Sequence, residues 1–302
     1  MDDVTDYVFR EIVATTAKPH VLFTEFTSTD ALCSKGRARA LRKLMFSANQ
    51  RPIVAQLWGS TPEYFTQAAV LIEELGFDGI DINMGCPDKG VMKKNAGAAL
   101  ITNPVLAQKL IAAVKSAAHN LPLSIKTRLA TTPDLTREWL SFLLTQDIAA
   151  VILHGRDAPS MSKHAADWEA IGKAVQLKNS LNPQSVLLGN GDVTSYQEVL
   201  AKYSQYQVDG VMVGRGIFGN PWLFDQTNPQ IEHTTKEYLD LLLRHTKLFV
   251  DTWGETKNFN LLKKFFKVYV RDFRGADALR QKLMACTNYS QIVIQLGHPY
   301  NQ

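Results

Sequence analysis

The stretch Ile80-Asp81-Ile82-Asn83-Met84-Gly85-Cys86-Pro87 decides how the rest of the chain is read. Its first five residues alternate apolar and polar, the pattern of a strand, and Gly85 and Pro87 end any ladder such a strand could make. An amide, Asn83, and a thiol, Cys86, stand at its C-terminal end. A cysteine met without context reads as a small buried hydrophobe. In a barrel of parallel strands, however, the C-terminal end of a strand is where chemistry is done. The neighbouring segments choose between these readings.

Those segments alternate strand and helix. Residues 20–26 and 52–57 read as strands, with a basic, polar stretch over 34–43 between them. A helix opens at Thr61-Pro62-Glu63, with proline in its first turn and an acid after it, and runs to about residue 75. Beyond the strand at 79–83, further strands fall at 123–129, 149–154, 185–189 and 209–213. The periodicity places helices at 103–118, 136–145, 167–177 and 195–202. Continuous apolar strands separated by helices make a parallel sheet covered on both faces.

Seven strands are counted before residue 220, and a closed barrel of this class takes eight. The favoured reading places a first strand upstream of Met1; the other is a count short by one. After Trp222 the strand signals stop. Tyr238, Leu241, Leu242, His245, Leu248 and Phe249 then fall on one helical face. The expected architecture is therefore α/β: a TIM (β/α)8 barrel over residues 1–230, then an all-α domain over 231–302, joined through the polar stretch 225–232.

Composition agrees with a soluble globular protein: 45% of the 302 residues are hydrophobic and 21% charged. No apolar run is long enough to span a bilayer, and no signal-peptide pattern opens the chain, so a cytoplasmic protein without a membrane partner is expected. The three cysteines, Cys33, Cys86 and Cys286, are odd in number, widely spaced and form no CxxC pair. That argues against a disulfide framework or a cysteine zinc site, and no metal is expected.

The strand ends carry Gln56, Asn83 with Cys86, Lys126 with Arg128, His154 with Arg156, Asn190-Gly191-Asp192 and Gly214-Arg215-Gly216. Singly, each is an ordinary wet rim residue. Together they line one mouth of one barrel. The last two loops suit a phosphate, received by backbone N–H groups with Arg215 adding a charge-assisted pair. Two tight glycine turns are the alternative.

These residues resemble the tRNA-dihydrouridine synthases, a family of flavin enzymes, over nearly the whole chain. The resemblance is carried by Asp3-Val4-Thr5-Asp6 with Phe9-Arg10, Ala55-Gln56-Leu57, Asn83-Met84-Gly85-Cys86-Pro87, Lys126-Thr127-Arg128-Leu129, His154-Gly155-Arg156, Ala166-Asp167-Trp168, Gly189-Asn190-Gly191-Asp192 and Val213-Gly214-Arg215-Gly216. It implies FMN as bound cofactor, NADPH as transient reductant and tRNA as partner, in a chain acting as a monomer. It implies Cys86 as proton donor and Asn83 as a hydrogen-bonding partner of the uracil, with Arg128 and Arg156 also placed on the substrate side. Met1, Gln56, Lys126 and His154 would border the flavin, and Asn190, Gly191, Asp192, Gly214 and Arg215 would hold its ribityl chain and phosphate.

The chemistry suits the residue types. Reducing the C5–C6 bond of uracil takes a hydride on one carbon and a proton on the other. A thiol, with an ordinary pKa of about 8.5, still carries its proton at neutral pH, whereas an ordinary carboxylic acid does not. Lys126 and His154 can stabilise developing negative charge. The base must leave its stack to reach such a mouth.

The C-terminal part speaks to the partner. Residues 257–282 hold eight basic and two acidic side chains. As one helix, Leu262, Phe265, Phe266 and Tyr269 share a face, and Lys263, Lys264, Lys267 and Arg271 lie opposite, a stripe suited to a phosphate backbone rather than to water alone. The chain departs from the family where Asp157 replaces the usual threonine, and where Lys263-Lys264-Phe265 replaces arginine-lysine-histidine. Two rivals remain at this stage: an FMN barrel oxidoreductase acting on a free pyrimidine, and an RNA-binding relative without catalysis.

Overall fold

The computed structural model describes residues 1, 3–227 and 231–297, so part of the stretch 225–232 and the last five residues of the expected helical domain lie outside the described residues. The strands are β1 (Leu22–Phe23), β2 (Thr27–Ser28), β3 (Ile53–Trp58), β4 (Gly79–Met84), β5 (Leu123–Arg128), β6 (Ala150–His154), β7 (Val186–Asn190) and β8 (Gly210–Met212). Every pairing is parallel, and the order runs β1-β3-β4-β5-β6-β7-β8, with β2 also on β3.

The strand expected over 20–26 is split. Leu22 pairs with Ile53 and Thr27 with Leu57, so β1 and β2 share one edge of β3. Between them, Thr24 N–H donates to the Val54 carbonyl, and Gln56 N–H turns to the Thr24 hydroxyl at 3.0 Å. A side chain stands in for a rung of the ladder. The sheet thus has the seven strand positions counted in the sequence. It curls as a barrel wall, and among the described residues β1 and β8 are its two ends rather than partners.

Most helices start close to where the sequence places them, although the one expected from 136 already begins at Pro133. Pro62, Pro104 and Pro133 each occupy a first turn, and Asn103, Thr132, Asp167 and Ser195 cap their helices through side-chain oxygens. Their apolar faces and the sheet build the first core, from Leu32 through Val208. The stretch 34–43, expected only as polar and basic, contains the helix Arg37–Lys43.

A second core gathers the C-terminal helices. Leu241, Leu242, Phe249 and Trp253 of the helix Thr235–Trp253 meet Leu262, Phe265, Phe266 and Tyr269. Val8, Phe9, Ile12 and Val13 of the first helix, Tyr7–Thr16, belong to this core too, and the Phe9 and Phe265 rings stack at 5.2 Å. Ile217 and Leu223 join them. The two cores therefore do not part the chain at residue 230: its N-terminal helix packs among helices more than 200 residues later. Inside, His245 and the Tyr269 hydroxyl are hydrogen-bonded at 2.8 Å, and burial lowers the imidazole to about 4.

Candidate active site

The register of the sheet assembles the site. Gln56 stands beside Asp81, Asn83 beside Lys126, Arg128 beside His154, and His154 beside Asn190. Crossing β4 and then β5, the level climbs by two residues, which keeps the same face and yields the stagger a curled sheet needs. Gln56, Asn83, Lys126, His154 and Asn190 are thereby brought to one mouth, as expected.

Cys86 follows β4 on a loop held from several sides. Asn83 Oδ1 accepts the N–H groups of Gly85 at 3.1 Å and Cys86 at 2.9 Å, and the Cys86 carbonyl accepts from Ala98 N–H at 3.0 Å. Gly85 passes so close to β5 that an added Cβ would lie 3.0 Å from the Thr127 backbone. Cys86 is half-buried, not sealed in the interior. Asn83 is buried and spends its oxygen on this loop, with Nδ2 donating to Gln56 Oε1 at 3.1 Å. One Nδ2 hydrogen is left for a ligand. Its first duty is to the loop rather than to a base.

The electrostatics centre on Lys126. Burial and the neighbouring Arg128 lower its amine to about 8, while Asp81 and Cys86 pull the other way. Its Nζ donates to Asn190 Oδ1 at 3.2 Å, and Asn190 Nδ2 donates to the Met212 carbonyl at 2.8 Å, tying β5, β7 and β8 together. His154 is pushed down to about 3 by burial and by Lys126, Arg128 and Arg156. It is neutral at physiological pH and serves as a hydrogen-bonding group, not as a cation.

Two arginines expected on the substrate side are committed elsewhere. Arg128 is buried, donating through Nε to the Gly85 carbonyl at 2.6 Å and through a terminal nitrogen to the carbonyls of Asp157 and Met161. Arg156, 6% exposed, binds the His164 carbonyl and pairs with Asp192, with His154 Nε2 3.3 Å from its guanidinium. Both fork-shaped side chains clamp loop carbonyls and a carboxylate, the use that five fixed donors favour in a buried place. Sequence position alone could not distinguish a clamp from a ligand.

At the loops expected to take a phosphate, Gly191 has φ +135°, and a Cβ there would lie 2.5 Å from the Ala166 Cβ. Asp192 holds φ +51°, with Oδ2 accepting from Arg156 and from Ala166 N–H at 2.8 Å. Partial burial opposes ionisation of its carboxyl, but Arg156, Ala166 N–H and Arg215 override this and keep it below the usual range. Gly214 faces open space, and the exposed Arg215 guanidinium stands 3.9 Å from Asp192. Only a four-residue 3-10 turn, Arg215–Phe218, follows, rather than an α-helix. Met1 is tied into a turn, its amino group on the Thr5 hydroxyl at 2.7 Å and its carbonyl accepting from Val4 and Thr5.

The basic stripe is not one helix. A 3-10 segment, Phe259–Phe265, leads into the short helix Phe266–Tyr269, and Arg271 lies past its end. The apolar face is buried as expected. Opposite it, Lys263 reaches the Met284 carbonyl, Lys264 the Asp3 carbonyl, and Arg271 the Gly219 carbonyl and the face of Tyr238. Lys267 is exposed, beside an open groove of about 660 Å³ that Lys263, Arg280 and Asp277 also line. Arg271 thus braces the chain, while Lys267 is the more available cation.

Asp81 and Ser124 were missed in the sequence. Asp81 is fully buried, accepting from Ser124 Oγ at 2.7 Å and Gln56 Nε2 at 2.8 Å, and burial raises it to about 7. The available signal was a carboxylate on the same strand face as Asn83, two residues along, in a strand expected to be covered on both sides.

A parallel barrel wall with a thiol, a lysine and amides at the C-terminal strand ends defines an enzyme of the barrel class. The family model for dihydrouridine synthase (Dus) matches residues 1–300, and the chain belongs to that family. A probable tRNA-dihydrouridine synthase of Staphylococcus aureus (strain COL) is 44% identical over 94% of this chain and 86% of its own length. Probable tRNA-dihydrouridine synthase 2 of Bacillus subtilis (strain 168) is also 44% identical, over 94% and 87%. Among solved structures, a variant of NCR from Zymomonas mobilis superposes with TM-score 0.52 at 17% identity, over 77% of this chain and 84% of that one. A 2-naphthoyl-CoA reductase complex does so with TM-score 0.55 at 10% identity, over 75% and 46%. These two share the fold.

Family membership implies a flavin, and the residues fit one. The set of Gln56, Lys126 and His154 suits a polar ring edge, and the open space at Gly214 beside Arg215 leaves room for an anionic tail.

Proposed function

We propose that the protein is a tRNA-dihydrouridine synthase, reducing the C5–C6 double bond of specific uridines in tRNA. The observation that carries this is the half-buried Cys86, held at the C-terminal end of β4 by Asn83 and beside Lys126. FMN is the proposed cofactor, with Gln56, Lys126 and His154 along its ring and Asn190, Gly191, Asp192, Gly214 and Arg215 along its ribityl chain and phosphate. When bound, it supplies the hydride, with NADPH as the source of reducing equivalents.

The chain's own residues do the rest. Cys86 holds a proton at Sγ and gives it to the uracil carbon next to the one that takes the hydride. Lys126, with its amine at about 8, is mostly charged at neutral pH, and it and Arg128 both lower the cost of the thiolate left behind. Neutral His154, whose Nε2 faces the Arg156 guanidinium, has its other ring nitrogen as donor to a ligand oxygen. Asn83 offers its remaining N–H to the base.

The uridine must be unstacked to enter the mouth. Residues 231–302 are the proposed tRNA-binding part, with Lys267 facing the backbone and Lys263 and Lys264 alongside, while Arg271 braces the chain; residues 1–230 are the proposed catalytic part. A cytoplasmic, monomeric protein fits this reading. The test is to purify the protein, release its flavin by denaturation, and supply NADPH with unmodified tRNA or with free uracil. FMN in the supernatant and dihydrouridine in tRNA alone support the reading; turnover of free uracil alone refutes it.

A further inference from the structure

Asp81 is a fully buried carboxyl on β4, out of reach of solvent. Yet it begins a directional chain of hydrogen bonds. Its Oδ1 accepts from Ser124 Oγ at 2.7 Å, and its Oδ2 from Gln56 Nε2 at 2.8 Å. Gln56 Oε1 then accepts from Asn83 Nδ2 at 3.1 Å. Asn83 Oδ1 in turn accepts from Gly85 N–H and Cys86 N–H. An ionised carboxylate only accepts, so it dictates which end of the Gln56 amide faces it. That choice dictates the sense of Asn83, and only one sense of Asn83 presents an oxygen to the two loop donors.

We propose that Asp81 is a positioning residue for Cys86, fixing the loop through the amides of Gln56 and Asn83; the inference rests on the function proposed above. Reversing Gln56 would set its NH2 against that of Asn83, and reversing Asn83 would set its NH2 against the N–H groups of Gly85 and Cys86. Either way a buried donor loses its acceptor. Lys126, on β5, is the charged group facing Asp81. Burial already raises the carboxyl to about 7. The protonated form keeps the same sense if its hydroxyl turns to Ser124, which accepts as readily as it donates.

Two substitutions separate this role from a packing role. Asp81→Asn keeps an oxygen for Gln56 and can donate to Ser124; Asp81→Leu removes the acceptor at similar size. The first readout is alkylation of Cys86 by iodoacetamide, measured by peptide mass relative to Cys33 of the same molecules, at a temperature where circular dichroism shows both variants folded. The second is dihydrouridine formation, separated into kcat and the KM for tRNA. Asp81→Leu is expected to raise the Cys86:Cys33 alkylation ratio at least fivefold and lower kcat at least tenfold, with KM within twofold. Asp81→Asn is expected to restore the ratio to within twofold of wild type and to recover most of kcat.

An unchanged ratio or an unchanged kcat in Asp81→Leu overturns the inference, as does an Asp81→Asn variant damaged equally. Should Asp81→Leu fail to fold, Gln56→Leu cuts the same chain one bond further on. It must raise the alkylation ratio likewise, and a wild-type ratio there overturns the inference. If wild-type protein forms no dihydrouridine, the proposed function fails, while the alkylation ratio still decides the role of Asp81.

Discussion

Replacing Arg156 by leucine should weaken FMN binding about 5- to 30-fold. Arg156 is buried against Asp192, in a loop proposed to hold the ribityl chain and phosphate, and its guanidinium joins the Asp192 carboxylate to the His164 carbonyl. Asp192 sits at φ +51°, a conformation that costs a side-chain-bearing residue free energy unless its surroundings enforce it. With Arg156 gone, among the described residues only Ala166 N–H at 2.8 Å and Arg215 at 3.9 Å still engage that carboxylate. A hydrogen bond to a charged group contributes about 1.5–3 kcal/mol. Because the Asp192 side chain is 38% exposed and water can take up part of the loss, we expect ~1–2 kcal/mol of lost preorganisation. At about 1.4 kcal/mol per factor of ten, that corresponds to the stated range. The assay is fluorescence titration of FMN into apo-protein, with Arg156→Lys beside Arg156→Leu. Lysine keeps the charge without the fork and should fall between wild type and leucine. An FMN affinity within twofold of wild type in Arg156→Leu would refute the assignment of these loops to the phosphate end.

Other outcomes follow from the buried charges and the basic surface. The Asp81 carboxyl is raised from 3.8 in the unfolded chain to about 7 in the fold, so its contribution to stability is full below pH 4 and is lost as pH rises through 7. Asp81→Asn should therefore gain stability relative to wild type between pH 4 and 7, by ~2–4 kcal/mol at the top of that window; chemical denaturation showing the same difference at pH 5 and pH 8 would contradict this. His154, lowered from 6.5 to about 3, should stay neutral to pH 5, which its ring nitrogen NMR shifts would report; titration near 6.5 would show that the surrounding cations do not act on it. Lys267→Glu should weaken tRNA binding most at low salt while leaving the flavin spectrum intact. Arg271→Glu should instead lower thermal stability, because Arg271 braces Gly219 and Tyr238.

Much of this was legible in the sequence, because its signals are local. Seven strands, the helix starts at Pro62 and Pro104, and the thiol past β4 all follow from period, proline and glycine, whereas the helix at Pro133 begins before the position its periodicity suggested. What was not legible depends on register and on distant packing. Arg128 and Arg156 look like ligands in a linear reading, and only the curl of the sheet turns them onto the carbonyls of loops up to 43 positions away. Nothing local to Phe9 of the first helix reveals that its partner is Phe265. The stripe containing Lys263, Lys264, Lys267 and Arg271 kept its apolar side, yet the change from 3-10 to α-helix took Arg271 out of line. Asp81 occupies a regular polar position of an alternating strand, which hides that it is buried, and its partners Ser124 and Gln56 lie on two other strands.

The proposed chemistry turns on the thiol of Cys86 delivering a proton to the uracil. The direct measurement is single-turnover dihydrouridine formation on tRNA by flavin-loaded Cys86→Ala beside wild type, with the bound flavin checked by its absorbance. The prediction is full flavin content and a rate at least a hundredfold lower, in keeping with the 10²–10⁴-fold typical of a general acid. A variant that reduces uridine at the wild-type rate would contradict it.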